Sequence, residues 1–419
     1  MGSRGLIKVI TETIKKSLKK FKMKKLKKIG GVTILIITII LATLLIYQYD
    51  LFKRLLERGP NYTYAQASNC SVQDNWAIAN GSYFNSISAA RDSLKILKRK
   101  YRIPGLAICV AINDEIIWNE GFGCENIEFN HPITNSSLFR IGSISKSMTG
   151  IALGKLLDDQ KLDLNEAIGN VLASFPKKKY EIRIKDLACH QSGVRGYKGL
   201  EMLSNKSYKS VHEAMNIFKD DDLLFEPGTN YEYSSYNYSI LSGVIEEITG
   251  DLYLRFMDQK IFEPLGMIHT IPDDKRMNYI GYSSSIKKDE IRKTLEVDLS
   301  NKWAGGGFLS TPKDLALMFT KLDALLTEES QNKIFESQRL RNGENTGYGL
   351  GFRKTYFTKS KKTVIHHGGS SVGGRSFVLK VLEDNIVVAI CANSDTGLLN
   401  PNDYGLIEVF NIAKLFHNE

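Results

Sequence analysis

The chain has 419 residues, 42% of them hydrophobic, and a formal net charge of +10. That length accommodates one large domain or two ordinary ones, each with a buried core. The charge does not point to nucleic acid. Residues 1–28 carry ten lysines and Arg4 against Glu12, while the other 391 residues hold 45 basic and 45 acidic side chains, so the body has no net field for a phosphate backbone.

The basic tail leads into IGGVTILIITIILATLLIYQY, residues 29–49, which has no charge. As a helix it would reach about 31 Å, matching a hydrocarbon core of about 30 Å. Tyr47 and Tyr49 stand where interfacial aromatics are expected, and no small-x-small cleavage site follows. The reading is a single-pass anchor with the bilayer as partner. Lysines precede it, so the amino terminus is expected on the cytosolic or matrix side and the rest on the non-cytosolic side. Residues 50–84, rich in Asn, Ser and Tyr, read as a stalk. Its sequons at Asn61, Asn69 and Asn80 are candidate glycosylation sites, favouring the secretory pathway over the mitochondrial intermembrane space.

A domain is expected over 85–419. Ile87, Leu94 and Leu97 predict a helix to about Tyr101. GLAICVAI and EIIWNEGF predict two strands around the Asn113-Asp114 turn. Ser-x-x-Lys occurs seven times, so its spacing alone carries no weight. The copy at Ser143 and Lys146 differs in context. It follows LFRI and a glycine and opens a helix with Met148, Ile151, Ala152 and Leu156 on one face. A serine there lies in the field of the helix amides, with the lysine on the same face. In STPKDLALMF, Thr311 reads as an N-cap with Pro312 as the first helical residue, so the pair Ser310/Lys313 is a helix start. Strand-like runs return only in TVIHH, SFVLKVL and IVVAICA, before a last helix over 403–416. The fold class is α/β (α+β): an antiparallel sheet formed by both ends of the domain, flanked by helices, with an inserted helical subdomain. Five cysteines, at 70, 109, 124, 189 and 391, without a C-x-x-C, do not read as a disulfide framework. Cys109 and Cys391 read as buried core residues.

Five ordered stretches resemble the serine β-lactamase/penicillin-binding-protein family, and within it the animal mitochondrial branch. They are GSISKSMTGIALGKLLDDQKLDL, FPKKKYEIRIKDLACHQSGV, PGTNYEYSSYNYSILSGVIEEITG, KWAGGGFLSTPKDL and HHGGSSVGGRS. The resemblance implies a serine hydrolase with Ser143 as nucleophile and Lys146 and Tyr233 moving its proton. The sequence leaves open which of the two is the base. Ser235 replaces the family's Y-x-N asparagine. In the third motif His366 is expected to face the cleft, with Gly368 and Gly369 behind it, and the amides of Ser143 and Gly369 to hold the oxyanion. Adjacent histidines on a strand face opposite sides, which argues against a metal pair, and no cofactor is implied. A histidine in place of the K-T-G lysine points away from efficient β-lactam hydrolysis and toward a peptide, amide or ester substrate. The oligomeric state is not legible. The alternative is a membrane-anchored scaffold that keeps the fold and does little chemistry.

Overall fold

The computed structural model describes residues 31–56, 59–68, 70, 78–396 and 403–417. The chain divides into two compact units, Met1–Glu57 and Arg58–Glu419. In the first, the apolar run lies on helix α1 (Gly31–Leu56), which continues past Tyr49 through Asp50, Lys53 and Arg54. Apolar run and charged end are therefore one element. Among the described residues no helix is long and apolar enough to cross a membrane. This overturns the expected single-pass anchor, the bilayer as its partner, and the localisation built on them. The tail 1–28 lies outside the described residues.

In the second unit the main sheet has strands β1 (Ile78–Ala79), β2 (Gly105–Ile112), β3 (Glu115–Asn126), β4 (Arg353–Phe357), β5 (Lys362–Ser371), β6 (Gly374–Val381) and β7 (Ile386–Ala392). Their spatial order is β1-β3-β2-β7-β6-β5-β4, antiparallel throughout, with the short strand His131–Pro132 beside β3. The antiparallel sheet closed by both ends of the domain is thus present, joined where β2 pairs β7. The helices that position the site are α2 (Phe84–Tyr101), α3 (Ile144–Asp158), α4 (Ser235–Thr249), α5 (Trp303–Gly306), α6 (Pro312–Thr320) and α7 (Asp403–Lys414).

Period-two alternation on β2 explains the layers. Leu106, Ile108, Val110 and Ile112 enter one core with Leu94 of α2 and Val409 and Phe410 of α7. Ala107, Cys109 and Ala111 enter the other, with Ala389 and Cys391 of β7 and Leu315, Ala316 and Phe319 of α6. The small side chains let α6 sit close to the sheet, and each fully buried Leu or Ile contributes about 1.5–3 kcal/mol. Cys109 and Cys391 are buried free thiols, as is Cys189. At α6, Thr311 caps the helix by accepting a hydrogen bond from the Asp314 amide at 3.2 Å.

The cysteine reading needs one correction. Cys70 and Cys124 form a disulfide across 54 positions, which sparse spacing could not reveal. It ties part of the expected stalk to β3. Tyr62 bridges Ile291 through two 2.8 Å backbone hydrogen bonds, and β1 pairs β3 at Asn119 and Trp118. Among the candidate sequons, Asn61 is exposed. Asn80 uses its side-chain oxygen to cap a short turn, accepting from the Ser82 amide at 3.0 Å. Asn69 lies outside the described residues.

Candidate active site

The loop before α3 is clamped from several sides. Arg140 and Asp273 form a buried ion pair at 2.6 Å, and Arg140 also donates to the Val372 carbonyl in the β5–β6 turn. Ser376 of β6 donates to the Ile141 carbonyl at 2.7 Å. A Cβ on Gly142 would lie 2.6 Å from the Ser370 nitrogen, so only glycine lets β5 come this close to the residue before Ser143. Ser143 then takes the N-cap position of α3 and presents its hydroxyl at the helix start.

Lys146, 0% exposed, is three residues on. Its Nζ lies 3.1 Å from Ser143 Oγ and 3.0 Å from Ser235 Oγ, and bonds the Gly305 carbonyl at the end of α5. Burial first, and the nearby charge of Lys302 second, push its pKa well below the ordinary lysine value. A neutral amine has two N–H groups and one lone pair. Gly305 can only accept, so one N–H is committed there, and the lone pair serves one of the two hydroxyls.

The Tyr233 ring lies 4.8 Å from Lys146 Nζ, and its phenol is close enough to Ser143 for the two to interact. Burial raises its pKa, so the phenol stays protonated at neutral pH. The ring packs against His190 at 4.2 Å and Tyr348 at 6.0 Å. His190 is fully buried and kept neutral by that burial. Ser143, Lys146, Tyr233 and Ser235 are therefore brought together.

The third motif needs a shift of one residue. His366 does not face this cluster. It stacks on Phe377 in the core under α2 and α7 and lies 3.0 Å from Thr355 Oγ1, and burial pushes its pKa down to about 3. His367 faces the site instead. Its Nδ1–H donates to the Gly368 carbonyl at 2.7 Å, so Nε2 accepts from the Tyr348 hydroxyl at 2.9 Å. Alternation along the strand was the right principle, but its parity was taken one residue too early.

The same parity moves the second oxyanion amide. Leu382 donates to the Thr363 carbonyl, so odd-numbered residues of β5 bond β6, and Gly369 pairs Ser376 in that ladder. Ser370 points its backbone groups the other way, toward Gly142. The Ser370 amide, rather than that of Gly369, thus lies on the side of the residue before Ser143. Gly369 acts by close approach: a Cβ there would fall 1.8 Å from the Ile141 carbonyl oxygen. Among the described residues no group of three or more His, Cys, Asp or Glu side chains is arranged to hold a metal. The sequence reading also missed Tyr197, which is buried beside Ser235, and Lys302, whose ammonium lies 4.9 Å from the Tyr197 ring.

The chain is 29% identical to the human serine beta-lactamase-like protein LACTB, mitochondrial, over 56% of each chain. It is 27% identical to a D-aminopeptidase of Gluconobacter oxydans, over 74% of this chain and 59% of that one. It thus spans little more than half the length of these relatives. In structure it resembles a D-amino acid amidase from Ochrobactrum anthropi, with a TM-score of 0.67 at 22% identity, covering 81% of this chain and 100% of that one. The Beta-lactamase family model matches residues 84–408, and the chain belongs to that family.

Proposed function

We propose that the protein is a serine hydrolase that cleaves a peptide, amide or ester bond through an acyl-enzyme on Ser143. The observation that carries this reading is the buried Lys146 amine at 3.1 Å from Ser143 Oγ. Held neutral by burial, Lys146 takes the Ser143 proton as Oγ attacks the carbonyl carbon. Tyr233, protonated and beside Ser143, is suited to relay the proton taken up by Lys146 to the leaving group, regaining its own from the ammonium, rather than to act as base. The amides of Ser143 and Ser370 hold the oxyanion, and water then attacks the ester to release the acid and restore Ser143. Ser235 holds Lys146 in line. His367 and Tyr348 fix the wall against which Tyr233 packs. The names of the relatives support an amide-directed activity.

The test is labelling of the full chain with a fluorophosphonate probe. Ser143 is expected to be the labelled residue, and Lys146→Ala to slow labelling by about two to four powers of ten. A folded wild-type chain that takes no label would reject the reading in favour of a non-catalytic member of the fold.

A further inference from the structure

We infer, on the serine-hydrolase reading above, that His190 is the residue that positions Tyr233 for proton transfer, by holding the chain on both sides of it. Residues 231–234 belong to no helix or strand, so no regular ladder of backbone hydrogen bonds carries Tyr233. His190 supplies a substitute. Its carbonyl accepts from the Glu232 amide at 3.0 Å, and its Nδ1 accepts from the Ser234 amide at 3.3 Å. Between those two anchors its ring lies 4.2 Å from the Tyr233 ring. One residue thus holds the backbone before Tyr233, the backbone after it, and the ring between them.

The surroundings of His190 are built for this contact. Its φ of 62° lies in the left-handed region that residues other than glycine rarely adopt. Such a conformation persists only where the neighbours impose it, and here it turns a backbone acceptor and a side-chain acceptor toward one segment. Asn237 of α4 donates from Nδ2 to the same Nδ1 at 3.1 Å. Its Oδ1 accepts from the Ser192 hydroxyl at 2.6 Å, and Ser192 Oγ accepts from the Val194 amide at 3.1 Å. An amide N–H can only donate, so this chain of bonds runs in one direction and leaves the His190 proton on Nε2. Burial first, and the charge of Lys146 second, keep the ring neutral, so Nδ1 remains an acceptor. Among the described residues Nε2 has no hydrogen-bond partner, although His190 is 0% exposed. The rings of Tyr348 and Tyr238 stand 4.7 and 5.5 Å away. An apolar side chain would fill this space without burying an unpaired donor. What the imidazole adds is the Nδ1 acceptor at Ser234.

The experiment uses the full-length protein and two esters that give the same butyryl-enzyme, p-nitrophenyl butyrate and ethyl butyrate. p-Nitrophenolate departs without a proton, whereas ethoxide needs one, so the ratio of their kcat/KM values reads proton delivery to the leaving group rather than attack by Ser143. His190→Gly keeps the backbone conformation and removes the acceptor. It should lower the ethyl-to-p-nitrophenyl ratio by about ten- to a hundredfold, part of the full worth of a positioned proton-transfer group. His190→Asn tolerates the same backbone and brings Oδ1 near the place of Nδ1, so it should restore the ratio to within about threefold of wild type. Added to Tyr233→Phe, His190→Gly should lower the ratio no further than Tyr233→Phe alone, because His190 acts through the phenol. Equal loss on both esters, a folded His190→Asn variant with the ratio of His190→Gly, or additive losses in the double variant would each overturn the inference. A wild-type chain that hydrolyses neither ester and takes no fluorophosphonate label overturns the hydrolase reading instead, so the label tells the two failures apart.

Discussion

Gly369→Ala tests the geometry of the site most directly. The added methyl carbon would sit 1.8 Å from the Ile141 oxygen and 2.3 Å from Ser376 Oγ. Ordinary contact needs about 3.2 Å or more, so β5 and the Ile141–Ser143 loop must separate by more than about 1 Å. The Ile141 oxygen is already held by Ser376, so the strain falls on that hydrogen bond and on the gap between the Ser143 and Ser370 amides. Overpacking of this kind costs about 1–3 kcal/mol, which a domain of this size survives with a lowered Tm. Misplacing one oxyanion donor costs about a hundred- to a thousandfold in rate. The expected result is a folded protein whose fluorophosphonate labelling is slower by at least a hundredfold. The assay is the second-order labelling rate beside a thermal unfolding scan. Labelling within threefold of wild type in a cooperatively folding variant would refute the placement of the second amide on β5.

Three further outcomes follow from the same structure. His366→Phe should leave the labelling rate within threefold, because that ring stacks in the outer core, whereas His367→Phe should slow labelling at least tenfold by removing the acceptor for Tyr348. Burial lowers the Lys98 pKa to about 8, against a reference of 10.5 in the unfolded chain, so the unfolded chain binds more protons between those values. Wild-type stability measured against Lys98→Met in urea should therefore rise by about 1 kcal/mol per pH unit from pH 8 to pH 10, and a flat difference would remove the desolvated lysine. Cys70→Ser with Cys124→Ser should cost about 4 kcal/mol of stability, the closure entropy of a loop that spans 54 positions, and equal midpoints for oxidised wild type and the double variant would count against the bridge.

The Ser143–Lys146 pair was legible because its spacing is local. Ser143 and Lys146 share one helix, and three residues of spacing place them on one face whatever the rest of the chain does. The sheet was legible where both faces are apolar, as on β2, β5, β6 and β7. It was not legible on β4, where RKTYF alternates exposed and half-buried positions at the edge. The parity of His366 and His367 depends on how β5 pairs β6, which no pattern within HHGG encodes. Tyr197 and Lys302 join the site from segments about a hundred residues apart, and Cys70 meets Cys124 only through the folded edge of β3. The apolar run at 29–49 misled because hydropathy reports composition, while the helix that forms there also carries Asp50, Lys53 and Arg54.

The segment ahead of α2 also decides where the chain can be shortened. A fragment cut at residue 85, the boundary that motif matching suggests, would lose β1 and the Tyr62 bridge together with Cys70. It would expose the backbone of β3 at Asn119 and Trp118 and leave Cys124 a lone thiol beside that bare edge. An unpaired strand edge is a template for another chain, and a free thiol next to it lets a chance encounter become covalent. Such a fragment is expected to keep Ser143, Lys146 and Tyr233 and yet drift into cross-linked oligomers, whereas one begun at residue 59 carries its own edge cover and its own cysteine partner.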